Sequence, residues 1–332
     1  MKRTFFLWAI VMLLFPISVF AAPYQDLPNI TAARIGLVQI NQRTLDSERV
    51  RGVTLTGTVP DIAGSESLSA KIESIIEGKI GNSLGTVDLS YKIVPSDGFL
   101  TIIFHSETVA PGGSRTERVS TLTLERATLN EVRVSDVLGD NGLRIATDVV
   151  NQFIAQNFRN MPRISILGDN DARFYITNEA VYFLFDRYEI APGSEGIQSV
   201  PVYFSGFERY FLEEEDYHIN LGNHGVRMLP LRRLVEHFGY VVAWNSDTLE
   251  ISLRRAGTNG NGGVNGNNNG YIILTLNMNY YRRINDLTAR TLEAPPEVID
   301  GITYVPISFF DVILDIHYSI SPDGTIELTT YR

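Results

Sequence analysis

The feature that most constrains the fold is a pattern that occurs twice in the last third of the chain. Leu229-Pro230-Leu231-Arg232 is followed by Leu234, Val235 and Phe238 at the spacing of one helix face, and Gly239 stands where such a helix ends. Residues 241–244 and 249–253 then read as a hairpin around Asn245-Ser246-Asp247. The order returns at Val305-Pro306-Ile307-Ser308, with Phe310, Ile313 and Leu314 on the helix face and residues 317–320 and 325–328 flanking Ser321-Pro322-Asp323-Gly324. Pro230 matches Pro306, Leu234 matches Phe310, Phe238 matches Leu314 and Asp247 matches Asp323, and one extra residue in the second turn sets Leu249 on Ile326. Two such units are expected to share one core. Residues 257–270 between them are almost pure Gly and Asn. With no apolar surface to bury, they are expected to form a flexible tether, an expanded loop inside one domain.

Upstream the period changes. Val53-Thr54-Leu55-Thr56 alternates as a strand does, and Pro60-Asp61-Ile62-Ala63-Gly64 reads as a turn. Leu68, Ile72, Ile75, Ile76 and Ile80 recur at helical spacing, with Gly81 placed as a cap. Val87, Leu89, Tyr91 and Ile93 alternate with polar residues, and further strands are expected at 99–105 and 119–124. A second helix over 142–158 carries the stripe Leu143, Ala146, Val149, Val150, Phe153 and Ile154. Strands at 173–177 and 180–185 meet at Asn178-Glu179, and a last one covers 200–204. Helices on antiparallel strands make the class α+β, in two domains, the second internally repeated. Residues 22–49 show no clear period and are expected to be a leader segment or an edge strand.

Met1-Lys2-Arg3 precedes an apolar run to Phe20, and Val19 and Ala21 suit a cleavage site, so residues 1–21 are expected to be a signal peptide. The run is short for a spanning helix, and no second long apolar run follows, so no stable membrane span is expected after cleavage. The mature chain should be secreted or held in the cell envelope. It has no cysteine, which excludes a disulfide framework, thiol catalysis and thiolate metal sites. The net charge is −10, and removing Lys2 and Arg3 makes it more negative. Nucleic acid is therefore not an expected partner.

The repeat resembles the copper amine oxidase N-terminal-like domain, on Leu229-Pro230-Leu231-Arg232-Arg233-Leu234, Phe238-Gly239-Tyr240 and Trp244-Asn245, and again on Ala294-Pro295-Pro296 and Gly301-Ile302-Thr303-Tyr304-Val305-Pro306-Ile307. It covers 205–332, with repeat one at 205–256, the loop at 257–270 and repeat two at 271–332. The second copy has Ser308 for Arg232, Asp315 for Gly239 and Ile320 for Trp244. The oxidase chemistry belongs to a separate domain of that family, so no copper or other cofactor is carried over. Residues 50–204 resemble the RsiV/PdaC-like extracytoplasmic domain, on Thr58-Val59-Pro60-Asp61-Ile62-Ala63-Gly64, Ser96-Asp97-Gly98-Phe99-Leu100-Thr101-Ile102, Arg133-Val134-Ser135-Asp136-Val137-Leu138 and, most specifically, Phe185-Asp186-Arg187-Tyr188-Glu189-Ile190-Ala191-Pro192-Gly193-Ser194-Glu195-Gly196. That resemblance implies a recognition module for a lysozyme-like hydrolase or peptidoglycan, without its usual effector.

No assembled catalytic motif stands out, so the chain is expected not to be an enzyme; the alternatives to a binding protein are a structural envelope module for protein–protein contacts and an unrecognised wall hydrolase. Asp216, His218 and His224 lack a known ligand spacing and read as a solvated loop, and no metal site is expected. His105 reads as a satisfied strand histidine. Glu213-Glu214-Glu215-Asp216 reads as a solvated acidic face. The candidate contact residues are Tyr188 and Glu189 on a protein- or glycan-binding edge, with Pro192 and Gly193 fixing its loop. Alternatively, Tyr188 packs at a strand end above a simple turn. Trp244 is either a sugar platform or core of the first repeat.

Overall fold

The computed structural model describes Tyr24 and residues 27–50, 52–80, 85–139, 141–165, 167–169, 172–220, 225–256, 271–283 and 286–331. The expected signal segment, Gly81, His224 and the Gly/Asn tether lie outside the described residues. The chain falls into two compact units, residues 1–133 with 146–202 and residues 134–145 with 203–332. Both mix helices with mainly antiparallel sheets, the α+β class expected.

In the first unit, β1 (Ala33–Ile35), β2 (Val38–Val50), β3 (Val53–Ala63), β4 (Thr86–Pro95), β5 (Phe99–Val109) and β6 (Arg115–Glu125) form one sheet in sequence order. All neighbours are antiparallel except β3 and β4, which are joined by α1 (Glu66–Ile80), the crossover that a parallel pair requires. Ser65 starts α1 by accepting the Leu68 amide on its hydroxyl at 3.3 Å. Two expectations are corrected here. Of the two alternatives for residues 22–49, the leader gives way to strand over residues 33–35 and 38–49, with β1 at the sheet edge, because Ile35, Val38, Ile40 and Leu45 are buried while the polar residues between them hide the period. Pro60 also lies within β3, opposite Gln42, and not in a turn. β3 pairs with β4 only over residues 54–57, so beyond Gly57 that edge tolerates a residue without an N–H. Gly57 itself has φ +97°, and a side chain there would meet the Leu89 backbone, which passes too close for a Cβ.

The six-stranded sheet is buried on both faces. Leu100, Ile102 and Phe104 pack with Leu68 and Ile72 of α1. On the opposite face, Ile103 and Val119 pack with Tyr175, Leu184 and Ile197. Two more helices, α2 (Val134–Leu138) and α3 (Gly142–Asn157), come next in the chain, and α3 buries Ala146, Val149, Val150, Phe153 and Ile154 as its stripe requires. A second, three-stranded sheet consists of β7 (Phe174–Ile176), β8 (Ala180–Phe185) and β9 (Gln198–Tyr203).

The second unit contains β10 (Phe207–Leu212), β11 (His218–Asn220), β12 (Val226–Pro230), α4 (Leu231–His237), β13 (Tyr240–Asn245) and β14 (Glu250–Arg255) as its first copy. The second copy contains β15 (Ile272–Thr275), β16 (Tyr280–Arg283), β17 (Asp286–Thr291), β18 (Glu297–Ile299), β19 (Ile302–Pro306), α5 (Ile307–Leu314), β20 (His317–Ile320) and β21 (Ile326–Tyr331). The register shows how the copies meet. β12 and β19 are antiparallel, with Met228 opposite Pro306, Leu229 opposite Val305 and Pro230 opposite Tyr304. Matched residues Leu229 and Val305 face each other, so a local two-fold axis passes between them. The opening strands are exchanged: β10 pairs with β21, placing Leu212 opposite Ile326, and β15 pairs with β14, placing Leu274 opposite Ile251. Leu212, Leu274, Ile326 and Leu253 are fully buried. Each copy thus completes the other's hairpin, and neither buries its apolar face alone.

Two sequence matches change. Trp244 pairs with Ile251, and Ile320 pairs with Ile326, so Ile251, not Leu249, corresponds to Ile326. The second turn is therefore one residue shorter than the first. Leu249 is exposed with φ +55°, whereas Ile251 and Ile326 are buried. Asp315 replaces Gly239 but keeps its left-handed backbone, φ +59° against +77°, which an Asp tolerates.

Candidate functional site

A cleft of about 750 Å3 lies in the first unit beside the last turns of α1. Its floor follows from strand alternation. Ser106 and Thr108 of β5 lie opposite Arg118 and Thr116 of β6, with Ser120 two residues further along the same face. Farther back, that face is apolar and covered by α1. Beside the last turns it becomes polar, with Lys79 at the rim and Arg173 and Asp186 on the far wall.

The far wall is held by a compact knot. Arg173 Nη1 donates to Asp186 Oδ2 at 2.8 Å, and its other terminal nitrogen donates to Glu189. Asp186 Oδ1 accepts the Val119 amide of β6 at 2.8 Å, and the Asp186 amide donates to Glu189 Oε2 at 2.8 Å. Asp186 thereby occupies an amide of an edge strand that would otherwise lack a partner. Two donors in the walls, Ser120 Oγ and Arg173 Nε, are buried without a hydrogen bond. Arg118 is exposed and makes no ion pair among the described residues. Burial is the main cause that pushes the Lys79 ammonium down to about 8. Asp186 opposes the shift, and Arg173 and Arg118 reinforce it.

The sequence candidates divide. Tyr188, Glu189, Pro192 and Gly193 do form one loop. Tyr188 has φ +70°, is 67% exposed and lies with its ring against Gly193, where any Cβ would collide with it. The Arg187 guanidinium sits 5.5 Å from the Tyr188 ring centroid, and its Nε donates to the Gly193 carbonyl at 2.5 Å. Tyr188 therefore does not pack as a strand-end aromatic. A bulky residue held at positive φ and left exposed is a strained display, which functional loops favour. Pro192 caps a short 3-10 turn, accepting the Glu195 amide at 2.9 Å. Glu189 is engaged inside the knot. Trp244 is 44% exposed on β13, as its counterpart Ile320 is at 37%, so the expectation of a core tryptophan is corrected. On the same face, its cross-strand partner Ile251 and, two residues along, Leu253 fill the core instead.

Sequence reasoning missed Lys79, Arg118 and Arg173. The available signal was the alternation Thr116-x-Arg118-x-Ser120 beside Ser106-x-Thr108, but nothing in one dimension joins it to a helix end or to Arg173. His218 is not in a loop: on β11 it meets Glu297 at 2.7 Å. His105 is satisfied, as expected, by Ser90 at 3.3 Å and Glu117 at 2.8 Å, with Tyr24 stacked on it.

Fold and cleft define the class first: a protein of two α+β modules, the first with a cationic cleft and the second a strand-exchanged repeat. Residues 135–205 match the family described as protein of unknown function (DUF3298), and residues 220–326 further along match the copper amine oxidase N-terminal domain. No curated protein matches it. Among solved structures, it is similar to a DUF3298 family protein from Pseudomonas aeruginosa at 12% identity and TM-score 0.38, over 51% of this chain and 89% of that one. It is similar too to a DUF3298 family member from Bacteroides fragilis at 12% identity and TM-score 0.36, over 52% and 93%.

Proposed function

We propose that the protein is an exported, non-catalytic binding protein of the cell envelope, and that the cleft of the first unit recognises peptidoglycan. The observation that carries this reading is Arg118, exposed and without an ion pair among the described residues, beside Lys79 in a cleft floored by hydroxyls, in a chain of net charge −10. The floor presents Ser and Thr hydroxyls of the kind that bind sugars, and the volume is that of a small-ligand site. A second reading, recognition of a lysozyme-like hydrolase, draws on the overall acidity, which attracts a basic protein. Tyr188 would then be a contact residue. The test is retention of the mature protein on purified peptidoglycan sacculi and on immobilised lysozyme. Retention on sacculi that is lost at high salt supports the first reading. Retention on lysozyme alone replaces it with the second, and retention on neither removes both.

A further inference from the structure

The ligand group that this cleft is built for can be read from its charges. Among the described residues, Lys79, Arg118 and Arg173 line it against one carboxylate, Asp186, and Glu189 behind the wall also accepts from Arg173. Asp186 already accepts from Arg173 and from the Val119 amide. Arg118 stands on the floor between Thr116 and Ser120, opposite Ser106, with its guanidinium free of ion pairs among the described residues. Like charges held this close repel, and an anion between them relieves the repulsion. A planar carboxylate can take two parallel N–H bonds from a guanidinium, whereas an ammonium binds it as a point charge. The cleft is far larger than an inorganic ion and bordered by hydroxyls, so the anion should be carried on a polyhydroxylated body. We propose that the cleft binds a sugar bearing a carboxylate, with Arg118 as the primary anchor and Lys79 as the second cation. This rests on the reading of the cleft as the recognition site and names the group recognised there.

Because burial holds Lys79 near 8, its share of the binding should weaken as pH rises through that value, facing Asp186, Arg173 and Arg118 as it does. The experiment is calorimetric or NMR titration of the mature protein with N-acetylmuramic acid, N-acetylglucosamine and inorganic phosphate. N-acetylmuramic acid should bind, N-acetylglucosamine should not, and Arg118→Gln should weaken the former at least about tenfold. Affinity should fall between pH 7 and 9 in the wild type, and the fall should flatten in Lys79→Met. Equal binding of the two sugars, no binding of either, tighter binding of phosphate than of N-acetylmuramic acid, or an unaffected Arg118→Gln overturns the proposal. A folded Arg118→Gln, checked by circular dichroism, is to be expected, since the side chain is exposed. Pelleting on sacculi stripped of their stem peptides, which frees the muramic carboxylates otherwise tied up as amides, separates the two levels. Wild type and Arg118→Gln retained alike remove the carboxylate site and leave wall binding standing. Muramic acid binding without sacculus retention does the reverse.

Discussion

Lys79 is a cation that the fold holds at a cost, and replacing it with methionine should stabilise the protein below pH 8. Burial is the main reason its ammonium falls from 10.5 to about 8, with Arg173 and Arg118 adding to the effect and Asp186 opposing it. At about 1.4 kcal/mol per unit, that difference amounts to about 3 kcal/mol. Solvent in the open cleft screens part of this, which puts the expected gain at roughly 1–2 kcal/mol. Below pH 8 the side chain is charged in the folded and unfolded chains alike, and the folded chain carries the whole penalty. Between about 8 and 10.5 the folded side chain is neutral while the unfolded one still holds its proton. Wild-type stability therefore rises with pH through that window, and the advantage of the variant shrinks. Methionine keeps the length and the packing of the stem. Thermal unfolding followed by circular dichroism at pH 6.5 and 9.5 gives the comparison, with an expected difference of about 2–6 °C at the lower pH. A variant no more stable than wild type at pH 6.5, or a gap that does not narrow at pH 9.5, would refute the reasoning. A variant that is more stable yet binds N-acetylmuramic acid less well would show a charge retained for binding at the expense of stability.

Three further outcomes follow from the second unit. Replacing residues 257–270 with a short turn should leave the fold intact and change stability by no more than about 1 kcal/mol, since β14 and β15 are antiparallel neighbours and loop closure depends only weakly on length; chemical denaturation checks this. Leu229→Ala, at the fully buried residue facing Val305 on the local two-fold axis, should cost about 3 kcal/mol in the same assay. Trp244→Ser should cost less than about 1 kcal/mol, and a loss comparable to that of Leu229→Ala would contradict the exposed placement of this ring.

What could be read from the sequence was whatever a single element encodes. The stripe of α3, the turn at Asn178-Glu179 and the matched helix faces Leu234/Phe310 and Phe238/Leu314 all follow from one period or one dipeptide, and the structure has them in place. Errors arose where pairing decides. Leu249 looks like the partner of Ile326 when the turns are aligned on Asp247 and Asp323. Cross-strand register assigns that role to Ile251, because the residue opposite Trp244 is the one that turns inward. Residues 33–50 lacked a period for the same reason: β2 is a long strand whose outward positions are polar and whose buried ones are few. Pro60 reads as a turn until one sees that its strand has already left β4.

The cleft belongs to the same class of hidden information, carried further. Lys79 ends a helix, Arg118 lies mid-strand, and Arg173 precedes β7, so three separate elements supply its cations. The motif most specific to the resemblance, residues 185–196, enters this site indirectly. Asp186 fixes Arg173 on the far wall and ties the edge strand through Val119, and Glu189 locks Asp186 and Arg173 together. Its conspicuous residues thus build the wall, while Tyr188, the one left exposed, is turned outward by its own positive φ. That division yields a contrast between two variants. Asp186→Asn should loosen Arg173 and lower the affinity for N-acetylmuramic acid, because the neutral amide holds the guanidinium less firmly, whereas Tyr188→Asn should leave that affinity unchanged and relieve backbone strain. If Tyr188→Asn abolished sugar binding while Asp186→Asn did not, the loop itself, and not the cleft it supports, would be the recognition surface.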